Sequence, residues 1–158
     1  MALRSGIGYD VHRLASGRRL VLGGVELASD VGLDGHSDAD VLTHAVIDAL
    51  LGAAGLGDIG MHFPDSDERY RDADSIELLR EAAARVRGAG QRIINVDTTV
   101  LLESPKLGAA REQMRERLAE ALGIEPSAVN VKATTGEALG FVGRGEGAAA
   151  LAIATLDA

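Results

Sequence analysis

The chain has no cysteine and no tryptophan, and only 3% of its 158 residues are aromatic. Without thiols there is no disulfide framework and no thiolate metal site, and the composition fits a reducing compartment. So few rings disfavour a stacking surface for single-stranded nucleic acid. Positive charge is also scarce: 16 Lys and Arg against 24 Asp and Glu leave a net charge of −8. That argues against nucleic acid as a bulk partner, because binding a phosphate backbone needs a basic field. A small anionic substrate stays compatible, held by metal ions, a few placed Lys or Arg side chains and backbone N–H groups. Long apolar runs are missing as well. Residues 1–6 have no apolar signal core, and the most apolar stretch, 45–56, is cut by Asp48 and two glycines. A soluble, cytoplasmic protein is expected, with no membrane span. Its length suits one domain, 1–158, able to bury roughly 70% of its unfolded surface without staples.

Against these absences, one group stands out. In the extended segment 8–12, Asp10 and His12 are two apart and project from the same face, so a carboxylate and an imidazole meet one point. His44, on a following helix, can bring a second imidazole. Two nitrogens and one oxygen form a zinc set whose open fourth position is the mark of a catalytic site rather than a structural one. Asp-x-His also arises by chance, and a strand-end Asp beside a surface His is the plain alternative.

Apolar periodicity alternates between strand and helix without a linker or low-complexity segment. Residues 6–12 and 20–27 read as strands, the second broken by Gly23-Gly24. His36-Ser37-Asp38 opens a helix burying Val41, Leu42, Ala45, Val46, Ala49 and Leu50, with Asp40, His44 and Asp48 on one polar face. Residues 75–87 form a second helix, started by Asp74 or Ser75, and 92–102 a strand. Residues 106–122 form a third helix, with Met114, Leu118, Ala121 and Leu122 inward, followed by strands 129–133 and 148–156. The expected class is α+β: one mixed sheet with helices packed on one face. The run 148–154 is small and apolar on both faces, so it is expected to pack on another layer, such as a second subunit.

Three further segments are dense in chemistry, and each has a bland reading beside a functional one. In 35–40, Ser37 or Asp38 reads as a helix cap, while a helix start with free N–H groups is also a phosphate site. In 57–67, Asp58 between two glycines is a turn former or a hydroxyl acceptor. In 130–147, Thr134-x-x-Glu137 reads as a capping box, yet two Thr hydroxyls, a carboxylate and glycines also suit a diphosphate with Mg2+. Ser104-Pro105-Lys106 reads as a turn with Pro near the start of the third helix.

Taken together, the blocks Gly-Tyr-Asp-Val-His-Arg-Leu at 8–14, Gly-His-Ser-Asp-Ala-Asp-Val-Leu-x-His at 35–44, Gly-Asp-Ile-Gly-x-x-Phe-Pro-Asp at 57–65 and Asn-Val-Lys-Ala-Thr-Thr-x-Glu-x-Leu-Gly-Phe-x-Gly-Arg-Gly-Glu-Gly at 130–147 closely resemble the 2-C-methyl-D-erythritol 2,4-cyclodiphosphate synthases of non-mevalonate isoprenoid (terpenoid) biosynthesis. The resemblance covers essentially the whole chain. It implies zinc, one per subunit, on Asp10, His12 and His44, and Mg2+ or Mn2+ positioned by Glu137 on the substrate diphosphate. By the same resemblance His36 and Ser37 meet the methylerythritol phosphate end, and His36 with Thr135 stabilises the transition state. Asp58, Ile59 and Gly60, with the loop Phe63, Pro64, Asp65, Ser66 and Asp67, line the methylerythritol pocket. Pro105, Lys106, Ala133 and Thr134 match a cytidine pocket supplied by the neighbouring subunit of a homotrimer with its sheets packed at the centre. Phe141 and Arg144 match residues near a central apolar cavity proposed to take isoprenoid diphosphates. Gly136 departs from members that carry a third Thr. The chain resembles the stand-alone form, without a cytidylyltransferase half or a transit peptide.

The implied reaction is a lyase step, attack of the substrate's own 2-phosphate on its β phosphorus with release of CMP. A substrate nucleophile that is already anionic explains why no nucleophile-base pair stands out in the sequence. A zinc hydrolase activating water, and a non-catalytic metal-stabilised trimer, are the alternatives from other classes.

Overall fold

The computed structural model describes residues 2–158. Five strands form one mixed sheet in the order β4-β1-β7-β5-β6, where β1 is Leu3–Ser16, β4 Val31–Asp34, β5 Arg92–Leu101, β6 Val129–Thr134 and β7 Gly147–Asp157. Only β5 and β6 run parallel; the other pairings are antiparallel. Three long helices, α1 (Val41–Ala54), α3 (Ser75–Gly88) and α4 (Ala110–Leu122), accompany this sheet. The core runs between α1 and the alternate residues Ala148, Ala150, Ala152 and Ala154 of β7, all buried. The α+β expectation with helices on one face is met.

The approach of α1 to the sheet is set by glycine. A Cβ at Gly8 would lie 1.8 Å from the Ala45 carbonyl oxygen, and one at Gly6 2.2 Å from that of Ala49. Helix and strand therefore touch backbone to backbone, and the alanines of β7 continue the same shallow surface. The opposite face of the sheet carries Ile7, Tyr9, Val11, Leu151 and Ile153, all exposed. The run 148–154 thus has one buried face and one open apolar face.

Several expectations needed correction. The segment 20–27 is not one broken strand but a hairpin, β2 (Leu20–Leu22) and β3 (Val25–Leu27), forming a second, two-stranded sheet. Gly23 and Gly24, at φ 57° and 73°, make a two-residue turn that needs left-handed backbone at both positions. The sheet is therefore not single, and the short edge strand β4 has no expected counterpart.

Helix α1 starts at Val41, capped by Asp40 rather than by Ser37 or Asp38. Asp40 is fully buried and does not share a polar face with His44. Its carboxylate accepts from Gly23 N, Gly24 N, Thr43 N and Thr43 Oγ1, tying the hairpin to the helix. At the helix start the Asp40 carboxylate thereby occupies the Thr43 N–H. Helix α4 starts at Ala110, four residues later than expected, after Gly108 at φ 52°. The Thr134-x-x-Glu137 capping box does not form. Strand β6 runs through Thr134, and the next helix, α5 (Gly140–Gly143), starts after left-handed Glu137 and Ala138. Another short helix, α2 (Ile59–His62), was also not anticipated.

Candidate metal centre and flanking pockets

Strand β1 presents Asp10 and His12 towards α1, whose second turn carries His44. His44 Nδ1 lies 3.0 Å and His12 Nε2 3.2 Å from the same oxygen, Asp10 Oδ2. The three donors lie within 4.8 Å of one another, the only such group of three or more among the described residues.

The surrounding hydrogen bonds assign the ring protons. His12 Nδ1 is 2.9 Å from the Asp34 carbonyl, which can only accept, so this nitrogen carries a proton and the neutral ring turns a lone pair at Nε2 towards Asp10. Ser75 Oγ donates to the Asp38 carboxylate, whose other oxygen accepts from Ser75 N at 2.9 Å. Ser75 Oγ must then accept from His44 Nε2 at 2.7 Å, with Ser37 Oγ 3.2 Å away. That leaves a lone pair at His44 Nδ1, also facing Asp10. Two imidazole lone pairs and a carboxylate converging on one point repel unless a cation lies between them. The donor set therefore fits a divalent metal, with imidazole favouring zinc. Without a metal, the hydrogen bond to Asp10 raises the His12 pKa. Burial pushes the Asp10 carboxyl up, yet bonding to His12 and His44 outweighs it and brings the value down to about 2.

Ser75 and Asp38 were read only as possible helix starts. Their link to His44 spans 31 residues of sequence and leaves no local signal.

The cluster opens into a pocket of about 300 Å3 lined also by His36, Ser37, Ile59, Gly60, Phe63, Pro64 and Asp65. These expected residues are brought together. Asp48, one turn beyond His44, accepts from Ile59 N at 3.0 Å and holds the start of α2 against the pocket. Asp58 caps α2 through Met61 N, the turn-forming reading. Phe63 is buried, edge-on to Tyr70 with Arg85 over its face, forming a wall. The fourth histidine, His62, stands apart from the metal cluster: its Nε2 donates to the Leu56 carbonyl at 2.7 Å and its Nδ1 accepts from Arg85. Ser66 is exposed, and Asp67 pairs with Arg69 at 2.7 Å, which holds its carboxyl below the usual range.

Pro105, Lys106, Ala133, Thr134 and Thr135 line a different pocket, of about 390 Å3, at the carboxyl ends of the parallel pair β5 and β6. Within one chain, His36 and Thr135 thus line separate pockets. Glu137 is exposed next to the second. Phe141 lines a third hollow with Val11, His12 and Glu146, and Arg144 is paired with Glu146 at 2.7 Å. At Gly136 a Cβ would lie 2.8 Å from Gly143 N, so this loop conformation leaves no space for a side chain there.

The sequence profile of the YgbB family matches residues 3–157. The chain belongs to this family. It is 61% identical over 157 residues to the 2-C-methyl-D-erythritol 2,4-cyclodiphosphate synthase of Rubrobacter xylanophilus, covering 98% of this chain and 94% of that one. It is 62% identical over 151 residues to a bifunctional IspD/IspF enzyme of an Anaeromyxobacter species, covering 96% of this chain but 39% of that longer protein. Among solved structures, a CDP complex of IspF from Plasmodium falciparum superposes with a TM-score of 0.85 at 32% identity, over 98% of this chain and 96% of that one. The YgbB membership agrees with the resemblance drawn from the four sequence blocks. Among the described residues no helix is long and apolar enough to cross a membrane.

Proposed function

We infer that the protein is a 2-C-methyl-D-erythritol 2,4-cyclodiphosphate synthase of isoprenoid biosynthesis, built as one domain over 1–158. It converts 4-diphosphocytidyl-2-C-methyl-D-erythritol 2-phosphate to the cyclodiphosphate and CMP. The observation that carries this reading is the convergent Asp10, His12 and His44 set on the wall of a pocket that also gathers His36 and Ser37. Family membership over nearly the whole chain supports the same substrate.

An oxygen of the 2-phosphate attacks the β phosphorus and forms the new P–O bond. The bond from that phosphorus to the oxygen bridging the two phosphates breaks, and CMP leaves with the electron pair. The nucleophile is already anionic near neutral pH, so no side chain has to remove a proton. Zinc held by Asp10, His12 and His44, and Mg2+ or Mn2+ held with Glu137, would supply positive charge against the phosphate oxygens. The protein's own share is to fold the substrate back on itself. His36 and Ser37 donate to the methylerythritol phosphate, Ile59 and Gly60 wall the carbon chain, and Lys106 with Ala133 and Thr134 holds the cytidine. The Thr135 hydroxyl donates to the diphosphate.

Because these two groups line separate pockets, the reading requires a neighbouring subunit to complete each site. The open apolar face of Ile7, Tyr9, Val11, Leu151 and Ile153 suits burial at the centre of a homotrimer. Phe141 and Arg144 would then lie near its axis.

Phosphorus NMR of the substrate incubated with the protein tests the activity. Cyclic diphosphate and CMP are expected; a linear phosphate would indicate a hydrolase, and unchanged substrate a binding module. Sedimentation should give about three times 16.4 kDa. Mixing His44→Ala with Lys106→Ala subunits under exchange should restore part of the activity, and an active monomer would refute the shared site.

A further inference from the structure

Glu103 has no role in the reading above, yet both of its carboxylate oxygens are committed to the loop that carries Thr135 and Glu137. Oε2 accepts from Gly136 N at 2.8 Å, and Oε1 from Ala138 N at 3.3 Å. Between them, Glu137 N donates to Thr135 Oγ1 at 3.1 Å. Glu137 and Ala138 stand at φ 54° and 61°, two consecutive non-glycine residues in left-handed backbone. Such backbone is strained for a residue with a Cβ and persists only where the surroundings hold it. The Glu103 carboxylate is that restraint: it gathers two N–H groups that this backbone turns to the same side.

Glu103 is itself fixed. It follows Leu102, whose N–H donates to the Thr134 carbonyl at 3.0 Å, extending the β5–β6 pairing beyond the end of β5. It also lines the pocket formed by Pro105, Lys106 and Thr134. One carboxylate thus joins the wall of the nucleoside pocket to the loop reaching for the diphosphate.

We propose that Glu103 is a positioning residue that sets Thr135 and Glu137 in register with the nucleoside pocket, so that a nucleoside diphosphate is held with its terminal phosphate aligned. This rests on reading Thr135 and Glu137 as diphosphate-side groups. Glu103 acts through the loop backbone and does not touch the reacting atoms.

The test compares wild type, Glu103→Ala and Glu103→Gln, each as zinc-loaded full-length protein. Affinities for CMP and CDP are measured in Mn2+, alongside amide hydrogen exchange at Gly136 and Ala138. In Glu103→Ala, exchange at both amides should quicken and CDP should weaken roughly 10–100-fold, the range for losing an orienting contact, while CMP changes only a few-fold. Glu103→Gln keeps one acceptor oxygen and should recover part of the CDP affinity. In turnover, kcat should fall more than KM rises. Unchanged exchange would overturn the proposal, as would equal loss of CMP and CDP, which is what general damage to the pocket predicts. If wild type bound CDP no tighter than CMP, the diphosphate reading itself would fail and take this role with it, an outcome visible without any variant.

Discussion

Replacing Gly8 by Ala tests the link between the packing of this fold and the candidate metal site of Asp10, His12 and His44. The new Cβ would fall 1.8 Å from the Ala45 oxygen and 2.8 Å from both Ala45 C and Ala49 N. These are backbone atoms of a helix, which cannot rotate aside. Relief requires α1 and β1 to separate until the 1.8 Å contact opens to about 3 Å or more, the contact floor of close-packed atoms. Overpacking of this kind costs about 1–3 kcal/mol, and at this chain length each kcal/mol lowers Tm by roughly 2–4 °C. A fall of about 2–12 °C is therefore expected. The same displacement acts on the candidate metal site, because Asp10 is two residues along β1 and His44 adjoins Ala45 on α1. Metal-ligand distances tolerate only about 0.2 Å, so zinc affinity should drop at least roughly tenfold. The assays are thermal unfolding of the metal-free protein and a zinc competition titration. Gly88→Ala is the control: its Cβ meets nothing within 4 Å, and it should leave zinc binding unchanged. A Gly8→Ala protein with wild-type Tm and zinc affinity would refute the argument that glycine sets this spacing.

Ser75→Ala removes the acceptor that fixes the His44 ring proton at Nε2; zinc affinity should fall about 10–100-fold with helix content unchanged by circular dichroism. Asp40→Ala strips four hydrogen bonds from buried or partly buried donors and unties the hairpin from α1. Losing the cap and stranding buried N–H groups should cost about 3 kcal/mol or more, read as a drop in denaturation midpoint at constant m-value. Glu137→Gln should retain zinc by metal analysis but lose most turnover, part of it returning in excess Mg2+ or Mn2+. An unchanged Mg2+ dependence would place the second metal elsewhere.

Local rules were enough for much of this protein. Period-two spacing put Asp10 and His12 on one strand face, and helical spacing on α1 buried its apolar residues and left His44 beside them. Helices ending at left-handed glycines, Gly55 after α1 and Gly123 after α4, follow from backbone sterics alone. The four sequence blocks, each a dense local pattern, were sufficient to indicate the family.

What the sequence could not decide depends on which distant groups share a point in space. The sequence offered Ser37 or Asp38 as the cap of α1 and placed Asp40 on its polar face. Only the folded chain chooses Asp40, because the Gly23-Gly24 turn supplies two further donors to its carboxylate. Asp38 is then free to bind Ser75 from α3 and, through it, to orient His44. Glu103 meets Gly136 and Ala138 only because β5 and β6 lie parallel and end side by side. The separation of His36 from Thr135 into two pockets follows from strand order, with β7 and β5 between β1 and β6. Secondary structure answers to neighbours a few residues away, whereas hydrogen-bond partners 30 or more residues apart are fixed only when burial makes an unpaired polar group too costly to keep.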